Sequence, residues 1–475
     1  MKYGTVYLVG AGTGAPDLIT LRGLRALRKS DVIICDSLIP KNFLEELGIP
    51  TSGKTVKWLD RENHSARAQT INDLILASVK SGKVVARLKI GDPFIYGRFH
   101  DELGFIAKHN IGWEVIPGLS AAIAAPELAH LPLTWRHNAR SFAVSTARCE
   151  GGNINRSYPK SDSLILLMGV SAIGEVAEKL VADGWRLDTP CAIIERASML
   201  WERRVEGTLG NIAKIAGKNG VSSPAVIVVG KAAEKRGAIS ASPRILFTGF
   251  EPAPFRPLGE ILHYCALALT PDELGARRLD GVIEELRRGQ FRWTVFTSGA
   301  AVKFFFGALR EKMLDARLLA DSRVAACGEL SKETLFEYGI TADFQIKTHK
   351  PSEIISALAY RKDNETLIIK GRGENSIVEN ALTKSGIKMT LLSLYRAVPH
   401  PELGQFPLPP HDVIYFTSAQ GVRAFFAAYG EAALSQSIWC LTDSARNELL
   451  NFGFRSELVK PAFSAAEFAA EFAAI

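Results

Sequence analysis

A glycine-rich segment near the N-terminus carries the first residues that could bind a ligand. Gly10, Gly12 and Ala15 follow an apolar run in the pattern G-x-G-x-x-[G/A], and Asp36 ends the next apolar run. In a dinucleotide-binding fold, such glycines bring the backbone close to a pyrophosphate, and the acidic residue binds the ribose. An NAD-type oxidoreductase is therefore one hypothesis for this half. A glycine turn that only permits tight packing is another.

The residues after the glycines depart from the dinucleotide pattern. A pyrophosphate site requires the helix to begin at the glycines, so that its free N–H groups face the phosphates. Here Pro16 to Thr20 separate the glycines from a helical pattern that starts at Leu21. The fingerprint alone therefore gives weak support for NAD.

Other candidate site residues lie in loops that end apolar runs. Gly91, Asp92 and Pro93 predict a turn in which the backbone can approach a ligand. In the C-terminal half, Phe296-Thr297-Ser298 and Phe416-Thr417-Ser418 end two further runs. Hydroxyl groups at such positions cap the following helix, and hydrogen bonding to a substrate is a second role.

The elements that must position these residues alternate along the chain. The apolar runs that predict buried strands are Thr5–Val9, Val32–Cys35, Val84–Leu88, Ser163–Leu167 and Ala225–Val229. The amphipathic stretches that predict helices are Leu21–Lys29, Thr70–Ser81 and Ile173–Asp183. Strands that alternate with helices predict an α/β fold with largely parallel sheets.

A charged segment rich in small residues, Gly230–Pro243, lacks an apolar period and is the best candidate for a linker. A second α/β series follows it. Within that series, residues 293–302 resemble residues 413–422, and each segment precedes a phenylalanine-rich helical stretch. This repetition predicts two similar half-domains.

Composition excludes several classes of protein. The 475 residues are 47% apolar and 23% charged, which is typical of a folded globular protein. The net charge of +7 is spread out without a dense basic block, which argues against nucleic-acid binding. The six cysteines form no CxxC pair, so a zinc site is not expected. Without a signal-peptide pattern or a long apolar run, we expect a cytoplasmic protein that does not span a membrane.

The order of the glycine and proline loops in the first half resembles that of the uroporphyrinogen-III C-methyltransferases, which have the tetrapyrrole methylase fold of two α/β subdomains. The matching segments are residues 10–21, 35–39, 87–98, 117–121, 131–136, 167–169 and 223–230. Several separated motifs in the right order are more specific than one glycine loop. The resemblance covers residues 1–235.

This resemblance implies S-adenosyl-L-methionine (AdoMet) as methyl donor and a porphyrinogen as acceptor. Asp36 aligns with the family's catalytic base, and Arg98 and Arg136 are candidate anchors because guanidinium groups bind carboxylates in a bidentate manner. The residues assigned to the donor are Thr13, Ile90, Gly91, Asp92, Ile95, Ser120, Ala121, Met168, Ala197 and Ala225. The chain departs from the family pattern at Ile90 and at Phe99-His100. It departs again at Leu59, where the family has a lysine. Lys57 could replace that lysine only if the loop shifts.

Residues 243–475 resemble the uroporphyrinogen-III synthases, a two-lobed α/β family that cyclises hydroxymethylbilane. Tyr395 matches the family's tyrosine before a basic residue and would donate a proton during catalysis. The residues assigned to the substrate are Thr297, Ser298, Lys370, Arg372, Thr417 and Ser418. A two-lobed regulatory module that binds a ligand is the alternative.

The two resemblances support each other, because the product of the synthase is the substrate of the methyltransferase. Together they imply a bifunctional enzyme that makes precorrin-2 for sirohaem or cobalamin-type pathways. The methyltransferase family also implies a homodimer through the first half.

Overall fold

The computed structural model of the protein describes residues 4–59, 64–97, 99–149, 153–234, 243–346, 355, 365–374, 377–430 and 437–461. These residues fall into two compact units. The larger comprises Met1–Ala266 together with Pro401–Ile475, and the smaller comprises Leu267–His400. Residues 235–242, which make up most of the predicted linker, lie outside the described part, and the domain boundary there stays a prediction.

The first sheet of the larger unit is parallel throughout. Its strands are β1 (Thr5–Gly10), β2 (Val32–Cys35), β3 (Thr55–Trp58), β4 (Val85–Lys89) and β5 (Gly112–Ile116). The associated helices are α1 (Leu21–Lys29), α2 (Phe43–Glu46), α3 (His64–Lys80), α4 (Phe99–Lys108) and α5 (Ala121–Leu128). The strand order is β3-β2-β4-β1-β5. All five strands therefore end at one edge, where loops can form a site.

The second sheet of this unit is mixed. Its strands are β6 (Phe142–Thr146), β7 (Ser163–Leu167), β8 (Pro190–Glu195), β9 (Arg203–Thr208) and β10 (Ala225–Gly230), with helices α6 (Ile173–Ala182) and α7 (Ile212–Lys218). The order is β6-β7-β10-β8-β9, and only β6 pairs in parallel with β7. This sheet departs from the parallel arrangement expected for the chain. The connection between β8 and β9 is too short for a crossover helix, so those strands pair antiparallel.

A third, fully parallel sheet completes the larger unit. Its strands are β11 (Arg244–Phe247), β12 (Glu260–His263), β19 (Val413–Phe416), β20 (Ser437–Cys440) and β21 (Val459–Pro461), with helices α12 (Ala419–Tyr429) and α13 (Asp443–Asn451). The order is β12-β11-β19-β20-β21. Because β11 pairs with β19, the C-terminal segment returns to the strand that follows the linker.

The smaller unit is built on one six-stranded sheet. Its strands are β13 (Leu267–Pro271), β14 (Phe291–Phe296), β15 (Arg323–Cys327), β16 (Phe344–Ile346), β17 (Glu365–Arg372) and β18 (Met389–Pro399). Its helices are α8 (Glu273–Arg287), α9 (Gly299–Glu311), α10 (Gly328–Glu337) and α11 (Ile377–Lys384). The order is β13-β18-β17-β14-β15-β16, and only β13 is antiparallel to its neighbour.

The two similar sequence segments fold into the same strand–helix unit, one in each sheet. Phe296 meets Phe305 edge-on at 5.6 Å between ring centroids and stacks on Phe306 at 6.1 Å. In the other unit Phe416 meets Phe425 at 5.3 Å and Phe426 at 6.3 Å in the same two geometries. The repeated core supports the prediction of two related half-domains.

The predicted α/β class is confirmed, and most predicted elements agree with the observed bounds within one residue. The main difference is α3, which begins at His64 instead of Thr70, because polar residues can extend a helix without adding to its apolar period. Short 3₁₀ turns occur at Pro16–Leu18, Val170–Ala172, Lys231–Ala233, Ala253–Leu258, Ala316–Leu319 and Ser456–Leu458. In the part of the chain that the structure describes, no helix is long and apolar enough to cross a membrane.

Candidate functional site

A cavity of about 640 Å³ opens between the first and second sheets of the larger unit. The loops that follow β1, β2, β4 and β5 form one side, and the ends of β7 and β8 with the start of β10 form the other. The volume is within the range of small-molecule sites in proteins. This arrangement brings together residues that are more than two hundred positions apart in sequence, such as Thr13 and Val226.

Almost all the site residues that the sequence predicts in the first half line this cavity. Its lining includes Asp36 and the ten residues assigned to the methyl donor, namely Thr13, Ile90, Gly91, Asp92, Ile95, Ser120, Ala121, Met168, Ala197 and Ala225. Arg136 is exposed in a turn and does not line the cavity. Arg98 lies outside the described residues.

The glycines pack three loops against one another. A Cβ atom on Gly10 would meet the backbone of Gly118 and the carbonyl of Gly91 at 2.5 to 2.7 Å, so no larger residue fits there. Gly12 and Gly91 exchange backbone hydrogen bonds of 3.2 and 2.7 Å. Both have positive φ angles, of +75° and +71°, which favour glycine. The fingerprint glycines therefore serve close backbone packing, and α1 begins only at Leu21, away from them.

Asp92 fixes the shape of the cavity rim. One carboxylate oxygen accepts a hydrogen bond from the backbone N–H of Phe94 at 2.8 Å, which closes an Asx turn. The other accepts from the N–H of Gly118 at 3.1 Å and ties this loop to the loop after β5. A ligand in the cavity therefore faces a backbone that Asp92 has already ordered.

Four charged side chains form a buried cluster on the cavity wall. Arg87 donates to the carboxylate of Asp36, and its Nε lies 3.3 Å from an oxygen of Glu102. Lys89 lies 3.0 Å from the same oxygen of Glu102. The Arg87 side chain is 2% exposed and that of Asp36 is 16% exposed. Two basic side chains therefore lie against two acidic ones, so each of the four has a partner of opposite charge in this cluster.

The pKa values of the two cations shift in opposite directions. Burial lowers the pKa of Lys89, and the neighbouring charge of Arg87 lowers it further. Burial alone would also lower the pKa of Arg87, but Asp36 and Glu102 raise it above its ordinary value. Within the described part of the chain, one oxygen of Glu102 is buried without a hydrogen-bond partner.

The loop between β8 and β9 forms another part of the wall and has a strained backbone. Arg196, Ser198 and Trp201 have φ angles of 54°, 66° and 64°, a region that costs a non-glycine residue about 1–2 kcal/mol. Ser198 shares a 2.7 Å hydrogen bond with Thr13 and accepts from the N–H of Ala15 at 3.1 Å. These contacts join the loop to the glycine segment.

A second group of polar side chains lies in the smaller unit around Tyr395, which is 1% exposed. The hydroxyl group of Tyr395 donates to Glu374 at 2.6 Å and lies 2.7 Å from that of Ser298. Glu374 also accepts from Thr297 at 3.2 Å and from the backbone N–H of Gly371 at 3.0 Å. Burial, followed by the charge of Glu374, raises the pKa of Tyr395 above its ordinary value.

The serines predicted as helix caps are confirmed in that role. Ser298 accepts from the N–H of Ala301 at the start of α9, and Ser418 accepts from that of Gly421 at the start of α12, both at 3.1 Å. Thr417, beside Ser418, is partly buried.

Of the two cations assigned to the substrate, Lys370 of β17 is buried and pairs with Glu379 of α11. Arg372 is exposed and pairs with Asp272 at 2.8 Å, so it is the more accessible of the two.

Comparison with known proteins supports the family resemblance of both halves of the chain. Residues 5–213 match the family described as Tetrapyrrole (Corrin/Porphyrin) Methylases, and residues 259–465 match Uroporphyrinogen-III synthase HemD. The uroporphyrinogen-III C-methyltransferase of Methanocaldococcus jannaschii is 38% identical over 48% of this chain and 96% of its own length. The porphyrin biosynthesis protein HemD of Ruminiclostridium josui is 29% identical over 91% of this chain and 90% of its own length.

The chain belongs to the tetrapyrrole methylases and the uroporphyrinogen-III synthases. It is a bifunctional enzyme of tetrapyrrole biosynthesis, with a methylase half followed by a synthase half. Among solved structures, the uroporphyrin-III C-methyl transferase of Thermus thermophilus complexed with S-adenyl homocysteine is 32% identical, with a TM-score of 0.42 over 48% of this chain and 98% of that one.

Sequence reasoning gave no role to several residues of these sites. In the methylase half, Arg87 and Lys89 stand two positions apart in a run that is otherwise apolar, which places both side chains on one face of a strand. That spacing was a usable signal. Glu102 of α4 in the methylase half and Glu374 after β17 in the synthase half carry no local pattern that marks their contacts with Arg87 and Tyr395.

Proposed function

We propose that the synthase half converts hydroxymethylbilane to uroporphyrinogen III, and that the methylase half adds two methyl groups from AdoMet to give precorrin-2. The observation that carries the methylase proposal is the convergence of the ten predicted donor-site residues and Asp36 on one cavity. Names of relatives, including the siroheme synthase of Chromobacterium violaceum, which is 36% identical over 49% of this chain, support the same pathway.

The methylase cavity suits AdoMet, which supplies an electrophilic methyl group on a sulfonium cation. The backbone of Ile90 to Asp92 offers fixed donors and acceptors, and Met168, which is 53% exposed, offers an apolar contact surface. A dinucleotide is less suited to this cavity, since α1 begins well beyond the glycines and cannot direct its N–H groups at a pyrophosphate.

Asp36 is suited to remove the proton that the macrocycle loses after methyl transfer. Its side chain reaches the cavity, and the buried guanidinium of Arg87 holds the carboxylate in place. Leu59, at the family's lysine position, is 5% exposed, whereas Lys57 is exposed on β3 and does not line the cavity. The base in this proposal is therefore Asp36, and Lys57 has no part in the reaction.

In the synthase half, the leaving hydroxyl of hydroxymethylbilane is proposed to take its proton from the cluster of polar side chains around Tyr395, which includes Glu374 and Ser298. Tyr395 itself is buried and donates to Glu374, which is more accessible. Tyr395 therefore acts through Glu374 and Ser298. Arg372 is the proposed anchor for substrate carboxylates, because its charge is the more exposed.

One experiment tests both activities together. The full-length protein is incubated with hydroxymethylbilane and isotopically labelled AdoMet, and the macrocyclic products are identified by mass spectrometry. We expect type III products that carry two labelled methyl groups. Type I macrocycles alone would contradict the synthase assignment, and type III macrocycles without label would contradict the methylase assignment.

Two further proposals concern organisation. We assign residues 1–235 to the methylase domain and 243–475 to the synthase domain. We also propose that the protein forms a homodimer through the methylase domain. Light scattering of the intact protein and of residues 1–235 should give a dimer mass for both, whereas a dimeric chain with a monomeric fragment would contradict the placement of the interface.

A further inference from the structure

The loop between β8 and β9, residues 196–202, is held from two sides. On one side it contacts the glycine segment of the methylase half through Ser198. On the other it contacts the synthase half through Arg196 and Trp201. Arg196 lies 3.4 Å from the carboxylate of Glu402, and the indole N–H of Trp201 donates to the same carboxylate at 2.8 Å.

The contacts with the synthase half are specific in geometry. The guanidinium of Arg196 lies over the ring of Phe406 at 4.7 Å, within the range of a cation–π interaction. The ring of Trp201, which is fully buried, stacks on the same ring at 6.1 Å. The backbone N–H of Trp201 also donates to the carbonyl of His263 at 3.0 Å. The synthase half thus contacts both a charged and an aromatic side chain of the loop.

The same loop also lines the cavity. Arg196, Ala197 and Met199 are all wall residues. The left-handed backbone at Arg196 and at Trp201 persists only where neighbouring groups hold it in place. For both residues, part of those neighbouring groups comes from the synthase half. The shape of the cavity wall therefore depends on residues outside the methylase half.

We propose that Glu402 and Phe406 of the synthase half are positioning residues for methyl transfer, because they hold Arg196 and Trp201 and thereby fix the wall of the methyl-donor cavity. This inference rests on the proposed function, since it assumes that AdoMet binds in that cavity. The synthase half then has two roles, one in its own reaction and one in completing the site of its neighbour.

The test uses the full-length protein with Glu402→Ala, Glu402→Gln and Phe406→Leu. Glu402→Ala should weaken binding of S-adenosylhomocysteine, measured by calorimetry, and raise the KM for AdoMet by about three- to tenfold, with kcat within about twofold. Glu402→Gln keeps an acceptor for Trp201 but loses the charge opposite Arg196, so its effect should be intermediate. Phe406→Leu should act in the same direction. Synthase activity should be unchanged in each variant.

Arg244→Gln is the matched control. Arg244, in the synthase half, pairs with Glu206 of β9 at 3.5 Å, so it also joins the two halves, but neither residue lines the cavity. It should leave the binding of S-adenosylhomocysteine unchanged. An equal loss in Arg244→Gln, or unchanged binding in both Glu402→Ala and Phe406→Leu, would overturn the inference. Failure of the unaltered protein to bind would instead overturn the proposed function, and the inference with it.

Discussion

The assignment of Asp36 as base leads to a prediction about Asp36→Asn. The change removes one negative charge and keeps the size of the side chain. General-base catalysis contributes about 10²–10⁴-fold to a rate, so methylation should slow by that factor. Binding of S-adenosylhomocysteine should be kept, because the backbone of the donor loops is unaffected.

The effect on stability can be bounded from the cluster. Removing one partner of a buried ion pair costs about 3–5 kcal/mol when the other charge is left alone. Here Arg87 keeps Glu102 at 3.3 Å and the backbone carbonyls of Ile34 and Leu88 at 3.3 and 3.1 Å. The amide oxygen of the new asparagine can also accept from Arg87. We therefore expect a loss of about 1.5–3 kcal/mol at most, the usual contribution of one hydrogen bond to a charged group.

Glu102→Gln is the matched control, since it neutralises the other carboxylate beside Arg87. Both variants should be assayed by single-turnover methyl transfer to uroporphyrinogen III and by urea unfolding. If Asp36 is the base, Glu102→Gln should slow methylation by less than about tenfold while it destabilises the protein to a similar extent. Equal losses of rate in the two variants would show that the cluster acts only through its charge balance. A rate for Asp36→Asn close to that of the unaltered protein would refute the assignment.

Three further predictions concern other parts of the molecule. Tyr395→Phe removes the hydroxyl that contacts Ser298 and Glu374, so formation of the type III isomer should slow by about tenfold, with more type I product by chromatography; unchanged rate and isomer ratio would remove Tyr395 from the proton path. Burial raises the pKa of Glu202 from 4.5 to about 7 in the folded protein. The folded state therefore binds the proton more tightly than the unfolded state, which contributes stability below pH 4.5. That contribution is lost as the pH rises through about 7. Glu202→Gln should therefore flatten the decline in unfolding free energy between pH 5 and pH 8, and an unaltered slope would contradict this reasoning. Lys57→Ala should leave methyl transfer unchanged, and a large loss would mean that the β3 loop moves in the reaction.

The sequence by itself determined the class of the fold and most element bounds, and it predicted a set of residues that the structure places around one cavity. Strand and helix periods depend on neighbouring residues, so the runs at Val32–Cys35 and Leu21–Lys29 were visible without a structure. Ser298 and Ser418 were visible as caps for the same reason. The residues predicted for the methyl donor came from the order of separated motifs, each of which is local.

Tertiary structure decided what these local signals could not. Arg87 meets both Asp36 and Glu102 only because β2 and β4 are adjacent and α4 packs beside them. Tyr395 meets Glu374 because β17 and β18 pair in parallel, with a register shift after Lys370. Strand pairings between distant segments are determined by the burial of whole sheets. The residues within one segment therefore do not indicate which distant segment it will pair with.

The joining of the two halves at Arg196 and Glu402 is the strongest case. These residues are 206 positions apart, and neither lies in a motif that marks a contact. The pairing exists because β11 and β19 bring the C-terminal segment back beside the first half, which only the packed sheets determine.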